Sequence, residues 1–285
     1  MKRYFDVLTL GRQTLDHLGD DALLEAQLVL CHVMGVTRST LLASLSDECS
    51  VDTEARFLQL ISQRATGYPV QWILGCTEFM GRLYEVSEGV LIPRFDTEIL
   101  VETVFDLMPE YDCIIECGVG SGVISIEIAL KYPDVPIYAW DINPAAIALA
   151  QRNALSHGVT TLHWNLGDFF QAFLLIKRLA KRYRLLIVSN PPYIPSPDIL
   201  TLEPTVKDFE PLTALDGGAD GLYFYRQFAG LVSKLDSVGL VVEMGINQAQ
   251  DIWTLFSECN RCALSVRQDL SGIDRVMTVQ KRPLT

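Results

Sequence analysis

Between residues 113 and 243 the chain alternates short apolar runs with longer helical stretches, and few architectures accept that pattern. "CIIEC", "IYAWD", "TLHWN", "RLLIVS" and "GLVVEMG" read as strands, with helix-like segments such as "VISIEIALKY" and "AAIALAQRNAL" among them. Such alternation predicts βαβ units and an α/β fold around a parallel sheet. In Leu185, Ile187 and their neighbours the apolar run is continuous, as in a strand covered on both faces. The closing "CALSVRQDLSGIDRVMTVQK" holds two strand-like runs about Ser271-Gly272, so the last two strands are predicted to form a hairpin at the sheet edge.

Residues 1–75 have another texture, without strand alternation. "DDALLEAQLVLCHVMG" opens on Asp20 and Asp21, acids suited to a helix N-terminus, and closes on Gly35 as a C′ residue. "VDTEARFLQLISQRATG" repeats the scheme, with Asp52 as expected N-cap, Gly67 as stop, and Phe57, Leu58 and Ile61 on one face. Nothing in this region resembles a catalytic cluster. The predicted organisation is a helical substrate-recognition domain over residues 1–75, a hairpin linker over 76–90 containing Phe79, Leu83, Tyr84 and Val86, and a catalytic domain over 91–285.

Composition narrows the function classes. With 285 residues and 49% hydrophobic content the chain can build a real core, yet no apolar run approaches the roughly 20 residues that span a bilayer. Acidic and polar residues interrupt the apolar ones at the N-terminus, so no signal peptide is expected there. The seven cysteines are scattered and odd in number, which suits reduced thiols and a cytoplasmic location. Cys259 and Cys262 form a lone CxxC with no second pair or nearby histidine, so no metal is expected. A net charge of −12 argues against a partner held mainly through phosphates, and no direct nucleic-acid binding is expected.

The candidate ligand site starts in "IIECGVGSGVISIEIAL", where Glu116, Gly118, Val119, Gly120, Ser121 and Gly122 stand between a strand and a helix. Ligands of doubly wound sheets bind at the carboxyl ends of strands, where glycines allow close approach. Asp141 ends the next strand about 20 residues on, where a carboxylate can accept from both ribose hydroxyls. Dinucleotide loops read G-x-G-x-x-G, but Val123 occupies the place of their third glycine. Glu116 adds a second carboxylate, ill suited to a pyrophosphate and well suited to a cationic ligand such as S-adenosylmethionine, which has no phosphate. In "LGDFF", Asp168 is expected to bond the adenine amine and Phe169 to pack on its ring.

The fourth strand of this series stops abruptly at Asn190-Pro191-Pro192-Tyr193. Two successive prolines cannot extend a central ladder, so they form a rigid elbow facing the reactive end of the cofactor. An amide or exocyclic amine is a poor nucleophile, since its lone pair is delocalised. Two acceptors on its NH₂ hydrogens can hold it in line and stabilise the charge that forms. The Asn190 side-chain oxygen and the Pro191 carbonyl are the expected acceptors, with Tyr193 stacking on the planar group. None of the four histidines, His17, His32, His157 and His163, lies near the elbow.

These residues resemble class I S-adenosylmethionine-dependent methyltransferases that modify planar nitrogens. The wider chain resembles the HemK/PrmC family more narrowly, in "GYPVQWILGCTEFMGRLYEVSEGVLIPRFDTEILVE" with its "LIPR-x-DTE" hallmark, in "FEPLTALDGGADGL" and in "GIDRVMTV". Phe95 stands where that family usually has proline, and Phe169 where tryptophan is frequent. The resemblance implies a Rossmann-like, seven-stranded, mainly parallel sheet with an antiparallel edge hairpin. It also implies methylation of the glutamine in the Gly-Gly-Gln loop of peptide chain release factors 1 and 2. Cofactor contacts are then implied at Gly118 to Gly122, Asp141, Phe169 and Asn190, and a glutamine site at Asn190 to Tyr193. A glutamine of ribosomal protein L3, or a nucleic-acid adenine, are the alternative targets.

Overall fold

The computed structural model describes residues 2–283. Two compact units emerge: Met1–Thr77 with Glu203–Phe209, and Glu78–Leu202 with Glu210–Thr285. The first contains helices α1 (Tyr4–Leu15), α2 (Ala22–Met34), α3 (Arg38–Ala43), α4 (Val51–Ala65) and α5 (Val70–Leu74) around Val7, Leu30, Leu41, Phe57 and Ile61. Asp21 and Gly35 bound α2 as the sequence suggests, with Gly35 left-handed at φ 65°. In α4 the capping residue differs from expectation. Ser50, not Asp52, accepts the Thr53 N–H at 3.1 Å, because a cap must lie just outside the first turn. Asp52 sits inside that turn, where its charge faces the helix dipole. The inward face also shifts: Leu60 joins Phe57 and Ile61 in the core, while Leu58 is only half-buried.

No sequence signal announces the return of Glu203–Phe209 to this helical unit. Buried Arg64 explains much of its hold. The guanidinium grips Glu25 with Nε and Nη2, at 2.7 and 3.0 Å, and Nη1 donates to Thr205 Oγ1 at 3.4 Å. Phe209 meets the Tyr68 ring edge-on at 5.6 Å.

Strands β1 (Cys76–Phe79) and β2 (Arg82–Glu85) form a two-stranded sheet across a turn in which Met80 and Gly81 both have positive φ. Alternation along β2 sends Tyr84 into the core and leaves Leu83 65% exposed. The Tyr84 hydroxyl donates to Glu127 at 2.6 Å, and Arg82 pairs with the other oxygen of that carboxylate at 2.8 Å.

The second unit continues with α6 (Asp96–Leu107), β3 (Cys113–Cys117), α7 (Val123–Lys131), β4 (Ile137–Asp141), α8 (Pro144–Ser156), β5 (Leu162–Leu166), α9 (Phe173–Arg182), β6 (Leu185–Ser189), β7 (Val238–Glu243), β8 (Cys262–Gln268) and β9 (Asp274–Lys281). The last seven strands of the chain make one sheet in the order β5-β4-β3-β6-β7-β9-β8. Its first five positions are parallel, and β9 runs antiparallel to both β7 and β8, giving the edge hairpin read from the sequence. Asp269 holds the hairpin turn by accepting from the Ser271 and Ile273 N–H groups.

Successive strand residues face opposite cores. Ile115 and Ile187 pack with Ile176, Phe228 and Ile252 on one side, whereas Ile114, Leu186 and Val188 pack with Leu100, Val104 and Ile124 on the other. The chain runs outward from β3 through β4 to β5, then restarts at β6 on the other side of β3. That reversal opens a crevice at the carboxyl ends of β3 and β6. No helix among the described residues is long and apolar enough to cross a membrane.

If Ser50 rather than Asp52 caps α4, Ser50→Ala should cost about 1 kcal/mol in urea unfolding and Asp52→Ala only about 0.5 kcal/mol. Equal losses would remove the distinction.

Candidate active site

The glycine loop between β3 and α7 is shaped by backbone approaches. Gly118 and Val119 both donate to the Trp140 carbonyl of β4, at 2.8 and 3.0 Å, and Gly118, Gly120 and Gly122 all have positive φ. At Gly122 space is decisive as well, since a Cβ there would lie 2.9 Å from that of Ala150 in α8. Asp141, at the end of β4, accepts the Gly120 N–H at 2.9 Å with one oxygen and the Asn143 N–H at 2.8 Å with the other. Burial raises its carboxyl above the ordinary value, and these backbone donors oppose the rise.

Beside the loop lies a cavity with about 830 Å³ of empty space, partly open to solvent. Gly118, Gly120, Asp141, Asp168, Phe169, Asn190, Pro191 and Pro192 all line it, so most of the residues selected from sequence converge. Val119, Ser121 and Gly122 shape the loop without lining the cavity; the Ser121 carbonyl accepts from Asn153 at 2.9 Å. Glu116 is fully buried beneath the loop, outside the lining. Its Oε2 accepts from both the N–H and the hydroxyl of Ser125 in α7, and its Oε1 has no hydrogen-bond partner. Burial pushes this carboxyl up to about 8. The charge argument made for Glu116 is carried instead by Asp141 and Asp168, because two carboxylates and no lysine, arginine or histidine line the cavity among the described residues. That donor set fits a cofactor that is cationic and free of phosphate.

Asp168 also caps the turn after β5, accepting from Phe170 N–H at 2.9 Å and Gln171 Nε2 at 3.1 Å. Phe169 is nearly buried against Trp140 and Phe170, with ring centroids at 5.9 and 5.2 Å. Sequence reasoning passed over Phe170, Ile142 and Asn143, which share the lining and adjoin selected positions. Leu91, Pro211 and Thr213 were missed too, although all three fall within segments quoted for the family resemblance.

The elbow follows β6, which pairs in parallel with β3. Ser189 Oγ donates to the Cys117 carbonyl at 2.7 Å, tying the ends of the two strands together. Asn190 Nδ2 donates to Thr97 Oγ1 at 3.0 Å, and the Thr97 hydroxyl donates to Glu243 Oε2 at 2.7 Å. The Tyr193 hydroxyl reaches Glu243 Oε1 at 3.4 Å, so this side chain turns away from the cavity lining. Glu243 ends β7 and is fully buried. Burial, reinforced by the Asp96 charge, pushes its carboxyl up to about 7, against Thr97, Tyr193 and Arg275. Past the elbow, Ile194 and Gly217 bond through their backbones at 2.8 Å. A Cβ at Gly217 would lie 2.8 Å from Tyr193 Cα, so only glycine permits the approach. Neither Thr97 nor Glu243 was singled out from sequence. Yet Glu243 repeats the signal of Glu116 and Asp141, an acid at the end of an apolar strand.

Comparison with known proteins places this architecture. A family profile described as the PrmC N-terminal domain matches residues 6–75, and the methyltransferase small domain matches residues 94–199. The release factor glutamine methyltransferase of Geobacter sulfurreducens is 38% identical over 260 residues, covering 90% of this chain and 89% of that one. Its counterpart in Bacillus subtilis is 34% identical over 290 residues, covering 97% of each. A solved release factor-specific protein-(glutamine-N5) methyltransferase from Alicyclobacillus acidocaldarius is 29% identical and covers 70% of this chain and 100% of its own, at a TM-score of 0.38. The sheet and the matched domain define a class I methyltransferase that uses S-adenosylmethionine. Within that class, the chain belongs to the release factor glutamine methyltransferase family.

Buried Glu116 has a thermodynamic consequence. An unfolded glutamate titrates near about 4.3, whereas the folded carboxyl is pushed up to about 8. The stability it contributes is therefore complete below the unfolded value and is lost as pH rises through the folded one. Glu116→Gln cannot ionise, so its melting temperature relative to wild type should climb between about pH 6 and about pH 8.5. A constant difference across that range would show that ionisation of Glu116 is unlinked to folding.

Proposed function

We propose that this enzyme methylates the side-chain amide nitrogen of the glutamine in the Gly-Gly-Gln motif of peptide chain release factors 1 and 2, in the cytoplasm. One observation carries the reading: Asn190 turns its Nδ2 to Thr97, and its Oδ1 accepts no hydrogen bond among the described residues. An acceptor thus stands free at the cavity wall, beside Pro191, at the reversal point of the sheet. The names of the relatives, all release factor glutamine methyltransferases, agree with that chemistry. The seven free cysteines support the cytoplasmic assignment. The acidic balance and the cation-free lining speak against a nucleic-acid substrate.

In this reading Gly118 and Gly120 present backbone to the cofactor, Asp141 accepts from its ribose hydroxyls, and Asp168 with Phe169 meets its adenine. Glu116 supports the loop from below through Ser125. Bound S-adenosylmethionine supplies an electrophilic methyl group on a sulfonium. Asn190 Oδ1 and the Pro191 carbonyl accept the two hydrogens of the glutamine amide and hold its nitrogen in line. As positive charge develops on that nitrogen, both acceptors strengthen, which is where the rate acceleration arises. The nitrogen–methyl bond would form as the methyl–sulfur bond breaks, leaving a neutral thioether, and the proton of the resulting cation would then pass to solvent, so no general base is required; no histidine lines the cavity among the described residues. The helical unit over residues 1–75 serves to recognise the protein substrate.

Incubation of the enzyme with tritiated S-adenosylmethionine and, in parallel, release factor, ribosomal protein L3 and DNA should label release factor alone. Label in L3 or DNA instead would overturn the assignment. Asn190→Ala should lower the single-turnover rate by roughly 10²–10³ while cofactor affinity, measured by calorimetry, changes far less. A near-wild-type rate would reduce the elbow to a turn.

A further inference from the structure

An asparagine amide is nearly symmetric in shape and opposite in chemistry at its two ends. Rotated by half a turn, Asn190 would present two N–H donors to the substrate NH₂ and repel it. Thr97 alone cannot select the productive orientation, because a hydroxyl both donates and accepts. Glu243 makes the selection at one remove. Its ionised carboxylate accepts only, and it takes the Thr97 hydrogen at 2.7 Å. The hydroxyl is left with lone pairs toward Asn190, and only Nδ2–H can bond them, at 3.0 Å. Thr97 is buried on α6 and Glu243 on β7, and neither lines the cavity.

We infer that Thr97 and Glu243 are positioning residues that hold the Asn190 amide with its oxygen toward the substrate nitrogen. The inference rests on the reading of Asn190 as acceptor for the glutamine amide. It requires an ionised Glu243. The groups around that carboxylate are Thr97 and Asp96 of α6, Tyr193 of the elbow, Arg275 of β9 and, at its main-chain carbonyl, the Tyr225 hydroxyl at 2.8 Å. Burial sets its titration at about 7. Once protonated, Glu243 can donate to Thr97 and release the threonine hydrogen toward Asn190, and the preference is lost.

Thr97→Val keeps the shape and removes the hydroxyl, so kcat on release factor should fall at least about tenfold. The KM and calorimetric affinity for S-adenosylmethionine should stay within about twofold of wild type. Thr97→Ser restores the hydroxyl and should recover most of kcat. Wild-type kcat should decline as pH is lowered from about 8 to about 6, and Thr97→Val should lack that limb. The proposal is overturned by full kcat in Thr97→Val, by no recovery in Thr97→Ser, or by a flat wild-type profile. Should Thr97→Val not fold, a nuclear Overhauser contact in the wild type between the Asn190 side-chain NH₂ and the Thr97 methyl decides: its presence supports the orientation and its absence refutes it. A wild-type enzyme that leaves release factor unmethylated would instead remove the reading on which this rests, a result distinct from an active wild type matched by an equally active Thr97→Val.

Discussion

A parallel pairing of β3 with β6, Ile114 opposite Leu186 and Glu116 opposite Val188, sets the distance between the two halves of the site. The glycine loop leaves one strand and the elbow leaves the other, at the same end of the sheet. Ladder bonds fix this register, and the Ser189 hydroxyl on the Cys117 carbonyl extends it past the last ladder position. A slip of one residue would turn Ser189 and Asn190 to opposite faces, because side chains alternate along a strand. Two buried cores, one per face of the sheet, oppose that slip.

Around this pair the elbow is held from several directions. Thr97 comes from α6, Glu243 from β7, and the Leu215 to Gly217 backbone closes the exit through Ile194. Such over-determination is what preorganised catalysis needs, since acceptors that must reorient during reaction lose most of their benefit. Within the same packing the Tyr193 hydroxyl turns inward to Glu243, away from the cavity lining.

Much of this was legible in the sequence, and the misses share a cause. Strands, the edge hairpin, the glycine loop and the elbow rest on local periodicity and backbone chemistry, which neighbouring residues reveal. Gly35 at a helix end belongs to the same kind. Partnerships across the chain do not announce themselves. Glu116 looks like a ligand from spacing, but only tertiary packing shows that Ser125 claims it. Thr97 and Glu243 stand 146 positions apart and become a pair only when α6 lies against β7. The capping residue of α4 lies two positions before the expected Asp52, at a helix boundary where pattern reading is least sharp.

The backbone passes between the two compact units after Thr77, again after Leu202, and again after Phe209. The helical unit is therefore not a cassette that inheritance can exchange at one junction. A recombinant taking its first 77 residues from one parent and the remainder from another would ask Arg64 and Tyr68 of the first to accept Thr205 and Phe209 of the second. Lineages carrying such a return loop should diverge as whole chains, with the helical unit and the sheet-bearing unit keeping a common ancestry.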